Sequence, residues 1–253
     1  MDLGIRGRKA IVCASSKGLG KGCAIALAEA GCDLAVNGRN ALVLAETAKQ
    51  LRDFGVSVTE IVGDVSDHGC QRELLGVFAE PDILVNNNGG PPRRDFRELD
   101  RDAILAGVTQ NMVTPIELTK AVLDGMAARG FGRIVNITSL SVYVPIPGLD
   151  LSSGARAGLT SFMAGVARTV ASRNVTINNL LPGKLDTDRL RGAFKADVDE
   201  AEQKVRLAAD IPAKRLGTAE EFGKICAFLC SAHAGYLTGQ NIPVDGGLYI
   251  SAF

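Results

Sequence analysis

Apolar residues are distributed along the chain in two alternating patterns. Short, almost unbroken apolar stretches predict strands: KAIVCA (9–14), CDLAVN (32–37), VSVTEIVGDV (56–65), PDILVNN (81–87), GRIVNITS (132–139), VTINNLLP (175–182) and a last one near 241–244. Between them, apolar positions recur at helical spacing over 18–30, 40–54, 67–78, 101–128, 152–172 and 218–231, with a more polar helical stretch over 186–210. A strand with one wet face alternates apolar and polar positions. Runs that are apolar throughout belong to a sheet covered on both sides, as parallel sheets are. Strand–helix repeats with short connections therefore predict an α/β fold. The expected architecture is a single-domain, Rossmann-like, doubly wound parallel sheet in three α/β/α layers across residues 1–253. Pro115 falls inside the helix over 101–128. Its missing N–H and its ring predict a kink or interruption there.

Composition narrows the partners. The 253 residues carry 28 Lys and Arg against 28 Asp and Glu, a formal net charge of zero. That balance gives no electrostatic reason to expect nucleic acid or an anionic membrane surface. With 46% hydrophobic residues the chain can bury a full core. No apolar run reaches the length of a membrane span, and Ala10–Ala14 is too short for the apolar part of a secretory signal, so a cytoplasmic protein is expected. The six cysteines show no CxxC pair. Cys226, Cys230 and the nearby His233 have a superficially metal-like spacing, but EFGKICAFLCSA reads as an apolar helix face, so no metal site is expected.

The first strand–helix turn, CASSKGLGKG, holds Gly18 and Gly20. Such a turn lets the backbone approach a pyrophosphate and points a helix N-terminus at negative charge. The second strand, which in NAD-binding sheets often ends in an acid for the ribose 2′-hydroxyl, ends here in LAVNGRN, with Arg39 and no acid. Arg39, together with Lys17 of the glycine turn, suits a 2′-phosphate and predicts NADP(H) over NAD(H).

These motifs resemble those of the short-chain dehydrogenases/reductases, and of their 3-oxoacyl-acyl-carrier-protein-reductase-like members in particular. The spacing Ala14-x-x-x-Gly18-x-Gly20, the Asn86-Asn87-Asn88-Gly89 stretch, Asn111, Ser139 in GRIVNITS, Pro182-Gly183, Thr187 and the late YLTGQ and VDGG stretches all match that pattern, over residues 5–250. Ala14 departs from it, standing where the family has glycine. The resemblance implies that Ala14, Ser15, Ser16, Lys17, Gly18, Leu19 and Gly20 cradle the dinucleotide. It places Asp64 and Val65 at the adenine, Asn87 at the adenosine ribose and Arg156 at the nicotinamide ribose, and it adds Gly89, Pro182, Gly183, Leu185 and Thr187 to the cofactor-binding residues. It also implies a homotetramer built through the long central helices.

At the chemical end the resemblance implies four catalytic positions: Asn111, Ser139, Ser152 and Arg156. Two of them are unusual. The family's tyrosine comes thirteen residues after the serine and its lysine four residues later, and from Ser139 these counts land on Ser152 and Arg156. An aliphatic hydroxyl donates a hydrogen bond well but gives up a proton poorly. Arg156 can bond ribose hydroxyls and hold positive charge, but it cannot share a proton. Tyr143 is the nearest phenol and could swing toward the vacated place. The expected activity is reversible reduction of a small-molecule carbonyl to an alcohol with NADP(H). The alternatives are a weak or inactive nucleotide-binding homologue with a regulatory role, and altered chemistry such as dehydration or isomerisation. The apolar loop VYVPIPGLDL and the segment 186–210, read as a substrate lid, border the pocket and suggest a hydrophobic acyl substrate. The charges of 186–210 read as a solvated face.

Overall fold

A computed structural model describes residues 1–194 and 196–251. Seven strands, β1 (Lys9–Val12), β2 (Asp33–Gly38), β3 (Val58–Val62), β4 (Ile83–Asn86), β5 (Gly132–Ile137), β6 (Val175–Pro182) and β7 (Asn241–Val244), form one sheet in the order β3-β2-β1-β4-β5-β6-β7. Every pairing is parallel. The helices are α1 (Gly18–Glu29), α2 (Ala41–Arg52), α3 (His68–Gly76), α4 (Arg101–Val108), α5 (Thr114–Arg129), α6 (Asp150–Val170), α7 (Asp188–Arg191), α8 (Glu200–Ala208) and α9 (Ala219–Leu229). The apolar runs thus sit where the alternating pattern puts them, with several strand ends shifted by one to three residues.

Both faces of the sheet are buried, and the two-residue strand period assigns each side chain to a face. Ala10 and Val12 join Leu27 of α1 and Phe222 of α9 in one apolar layer, while Ile11 joins Leu118 and Met126 of α5 and Leu159 and Met163 of α6 in the other. Full burial of a leucine such as Leu27 is worth about 1.5–3 kcal/mol. Helices α1 and α9 approach backbone to backbone. A Cβ on Gly223 would collide with the carbonyl of Gly22, so neither position tolerates a side chain.

The long helical stretch predicted over 101–128 is broken into α4 and α5 by a π-helical turn over Thr109–Val113. Pro115 is the cause. It sits in the first turn of α5, where a missing N–H is harmless to α5 itself, but the carbonyl of Asn111 four residues earlier is left without an α-helical donor.

A row of asparagines, buried except at its Asn241 end, crosses the sheet. Asn86, Asn136, Asn179 and Asn241 are register partners on β4 to β7. Asn86 Nδ2 donates to Asn136 Oδ1 at 2.9 Å, Asn136 Nδ2 to Asn179 Oδ1 at 2.8 Å, and Asn179 Nδ2 to Asn241 Oδ1 at 2.7 Å. The row ties the carboxyl ends of these strands, from which the site is built, to one another.

Candidate active site

The sheet order reverses at β1, which has β2 on one side and β4 on the other. In such sheets ligands bind beyond the strands' carboxyl ends at this switch point. Here the turn after β1 is held from beneath by Asn37 at the end of β2. Asn37 is buried, accepts from the Ala14 N–H at 3.2 Å, and donates to the carbonyls of Ile61 and Gly63 at 3.1 Å each. Ser15 is wholly buried, and its hydroxyl donates to Val12 O at 2.8 Å while accepting from Asn37 N. Ser15 is therefore a strut of the turn. Ser16 braces it too, its carbonyl accepting from Thr47 Oγ1 at 2.8 Å. Leu19 packs against the apolar layer below.

The turn fits a dinucleotide's phosphates. A Cβ on Gly20 would collide with Ala14 O and stand 2.8 Å from Asn87 Nδ2, so only glycine allows this approach. Helix α1 begins at Lys17 with no side-chain cap, so its first N–H groups are left to an external acceptor. Ala14, the departure from the glycine pattern, adopts φ 43°, a left-handed conformation that disfavours a side chain. The alanine thus keeps the glycine-type backbone shape, at a cost in strain. Asn87 Nδ2 donates to Ala14 O at 3.1 Å, joining the end of β4 to the turn, and Thr187 lies 4.0 Å from where a Gly18 Cβ would be.

The remaining nucleotide-end residues are dispersed around this turn. Arg39 is exposed and 4.0 Å from Asp64, while Lys17 is exposed and 4.0 Å from Asp188. Both ion pairs are loose, leaving the cations available. Asp64 also accepts from Ser66 N, and the Val65 side chain is buried in the apolar layer. Gly89 N donates to Asn88 Oδ1. Pro182 ends β6, Gly183 N donates to Val244 O at 3.0 Å, and Leu185 is buried against Gly217.

At the chemical end, Ser139 follows β5 and Ser152 and Arg156 share α6, one turn apart. Both are buried, at 5% and 8% exposure. Arg156 Nε donates to Ser152 Oγ at 3.2 Å, and Nη1 donates to the carbonyls of Ile137 and Thr138 at 2.7 and 3.0 Å. The guanidinium is therefore turned inward and fixed to the end of β5. Burial pushes its pKa down to about 10, with the charge of Arg189 adding to the effect. It remains charged at neutral pH. Ser139 Oγ accepts from Ser141 N at 3.1 Å and lies 2.8 Å from Ser141 Oγ. Asn111 lies in the π-helical turn, with Nδ2 bonded to Gly107 O and Oδ1 without a partner. With Asn86 and Thr114, whose Oδ1 and Oγ1 are also without a partner, it lines a small cavity of about 20 Å³ that also reaches Arg156. That volume and those partners suit one water.

Tyr143, the nearest phenol, is half-exposed. It stacks on Tyr249, with ring centroids 4.9 Å apart and planes 25° from parallel. Cys226 and Cys230 are wholly buried, and the His233 ring bonds Asp2 O. Among the described residues no group of three metal-type ligands exists, and no helix is long and apolar enough to cross a membrane. Sequence reasoning missed Asn37, whose only signal is an amide ending an apolar strand. It also missed that Arg189, an exposed lid residue, bonds the loop after β4.

A family model described as enoyl-(acyl carrier protein) reductase matches residues 13–249. The chain is 34% identical over 253 residues to the 3-oxoacyl-acyl-carrier-protein reductase of Pseudomonas aeruginosa, covering 98% of this chain and 100% of that one. It is 35% identical over 206 residues to the acetoacetyl-CoA reductase of Cupriavidus necator, covering 80% and 81%. Among solved structures it resembles L-sorbose reductase from Gluconobacter frateurii, crystallised with NADPH and L-sorbose, with a TM-score of 0.93, 28% identity and coverage of 99% and 100%.

Proposed function

The chain belongs to the short-chain dehydrogenase/reductase family, in its 3-oxoacyl-acyl-carrier-protein-reductase-like branch. On that basis we propose that it is an NADP(H)-dependent oxidoreductase interconverting a carbonyl and an alcohol, with Ser152 and Arg156 working in place of tyrosine and lysine. The bound dinucleotide supplies or accepts the hydride. The observation that carries the reading is the bond from Arg156 Nε to Ser152 Oγ. A hydroxyl that accepts from a guanidinium is polarised and becomes a stronger donor. The Ser152 proton has no protein acceptor among the described residues, so it is free for a substrate oxygen. Ser139 is arranged likewise: Ser141 N donates to its oxygen, which leaves its own proton to be aimed at the same substrate oxygen.

In this reading Ser139, Ser152 and Arg156 stabilise the oxygen as negative charge grows on it. Removing one such donor typically costs about 10²–10³ in rate. Neither serine is acidic enough to be the proton source at neutral pH, so the proton comes from water. The cavity beside Asn111 and Arg156 supports such a supply. Overall, carbonyl, hydride and proton give the alcohol, and the reverse reaction returns them.

Holding the cofactor falls to the glycine turn, Asn87 and Thr187, with Arg39 and Lys17 selecting the 2′-phosphate. The same reading includes a cytoplasmic homotetramer. Ile104 of α4 and Phe162 of α6 are 42% and 46% exposed, apolar surface suited to a helix-to-helix interface. Light scattering tests it, and a monomer mass contradicts it. The activity is tested by following NADPH oxidation against a panel of 3-oxoacyl thioesters and simple ketones. Turnover that falls at least about 10²-fold in Ser152→Ala supports the reading. Tight cofactor binding without turnover on any ketone contradicts it.

A further inference from the structure

Ser139 has a second serine within hydrogen-bond reach. The chain leaving β5 enters a single 3₁₀ turn over Leu140–Val142, and Ser139 caps that turn from an extended conformation, φ −163° and ψ 146°. Ser141 N stands 3.1 Å from Ser139 Oγ, and the Ser141 hydroxyl stands 2.8 Å from the same atom. The first contact is the ordinary one for a serine in a capping position. The second is additional, and a cap does not require it. The 3₁₀ turn over Ala232–Ala234 is capped in the same way, with Ser231 Oγ accepting from His233 N at 3.2 Å, and there the residue two places on carries no hydroxyl.

Burial makes the additional contact informative. Ser141 is 4% exposed, and Ser139 Oγ is the only partner of its hydroxyl among the described residues. A buried hydroxyl left unbonded is unfavourable, so the pair stays together in the resting protein. Ser15, also buried, instead gives its proton to the Val12 carbonyl and serves the backbone. The Ser141 hydroxyl serves another hydroxyl, and that hydroxyl is the half-buried one at the chemical end of the site.

A hydroxyl offers one proton and two lone pairs. If Ser139 donates to Ser141, its proton is taken up inside the protein and cannot reach a substrate. If Ser141 donates, Ser139 Oγ accepts twice from one residue, from its N–H and from its O–H, and both lone pairs are filled. Only the Ser139 proton then remains, on the side away from Ser141. A carbonyl oxygen is an acceptor, so the second arrangement alone can serve it. A hydroxyl that already accepts two bonds is also the stronger donor.

Resting on the reductase reading above, we propose that Ser141 is a positioning residue: by donating to Ser139 Oγ, its hydroxyl makes Ser139 a one-way donor toward the substrate oxygen. Ser152 reaches the same condition by another route, through Arg156 Nε.

The test is a double-mutant cycle on Ser139 and Ser141, read by calorimetric titration of the NADP⁺-loaded protein with ethyl acetoacetate. Ser141→Ala keeps the backbone N–H and therefore the cap. It is expected to weaken ketone binding about 5- to 10-fold where Ser139 is present and less than about twofold in the Ser139→Ala background, with the NADPH Kd changed less than about twofold. Ser141→Cys keeps a side chain of similar shape but donates weakly. It is expected to behave as Ser141→Ala does, and it serves where that variant fails to fold. Equal binding by the unaltered protein and Ser141→Ala overturns the proposal. So does the same loss in both backgrounds, which a purely structural hydroxyl would give, and so does failure of the unaltered protein to bind the ketone. Turnover is scored separately. Coupling between the two serines in binding, without NADPH oxidation on any ketone, leaves the Ser141 assignment standing and removes the reductase reading. Turnover that needs Ser139 but not the Ser141 hydroxyl does the reverse.

Discussion

Arg156 and Ser152 sit one turn apart on α6, and the guanidinium Nε donates to the serine hydroxyl at 3.2 Å while Nη1 is fixed to two carbonyls at the end of β5. The charge is therefore held in place before any substrate arrives, as electrostatic stabilisation of a developing oxyanion requires. Replacing Arg156 by Met keeps the length of the side chain and removes the charge. kcat/KM is expected to fall by about 10²-fold or more, with NADPH binding weakened less. Parallel steady-state and titration measurements separate the two effects.

The pH profile should distinguish this pair from a phenol–ammonium pair. Arg156 is lowered only to about 10, by burial first, and so stays charged below pH 9. An aliphatic hydroxyl does not titrate there. kcat is expected to be flat between about pH 6 and 9, whereas a phenol shifted down from its usual value near 10 would add a limb inside that window. A limb that Ser152→Ala abolishes would contradict this.

Ala14 holds φ 43°. The left-handed conformation costs a residue with a Cβ about 1–2 kcal/mol, and glycine's extra freedom in the unfolded chain offsets part of the relief. Ala14→Gly is expected to stabilise the protein by roughly 0.5 kcal/mol and to tighten NADPH binding. Gly20→Ala, whose methyl would collide with Ala14 O, is expected to abolish cofactor binding. Urea unfolding and fluorescence titration provide both measurements.

Much of this arrangement was legible in the sequence. The unbroken apolar runs pointed to the parallel sheet because a strand buried on both faces favours apolar residues at successive positions, with asparagine the exception here. Pro115 marked the break between α4 and α5, since a residue without an N–H disrupts the ladder wherever it falls inside a helix. The resemblance to the family's motif, counted from Ser139, pointed to Ser152 and Arg156, and Arg156 bonds the end of β5 just before Ser139. What stayed hidden depends on contacts between distant segments. Asn37, which holds the glycine turn, and the asparagine row across β4 to β7 look like ordinary polar interruptions until register aligns them. That Arg189 reaches Gly90 O depends on how the lid folds back, and no periodicity encodes that.

The asparagine row carries its own prediction. Asn136 is wholly buried and bonded on both sides, to Asn86 and Asn179. Asn136→Ala leaves two buried amides short of a partner, and a loss of about 2–4 kcal/mol is expected in urea unfolding.

Cofactor choice rests on Arg39 and Lys17, each exposed and only loosely tied to an acid at 4.0 Å. Arg39→Glu is expected to weaken NADPH by about 10–100-fold, through loss of charge-assisted bonds to the 2′-phosphate, while leaving NADH nearly unchanged. Equal or tighter NADH binding by the unaltered protein would contradict the assignment.

The central claim is that a hydroxyl polarised by a fixed guanidinium supports hydride transfer where a phenol and an ammonium would usually stand. The most direct measurement is the single-turnover rate of NADPH oxidation on a reactive ketone by the unaltered protein and by the Ser152→Tyr, Arg156→Lys double variant, each saturated with cofactor. A rate for the unaltered protein well above the uncatalysed background, lost in Arg156→Met, is the predicted result. A background rate for the unaltered protein, with activity appearing only in the double variant, would contradict it.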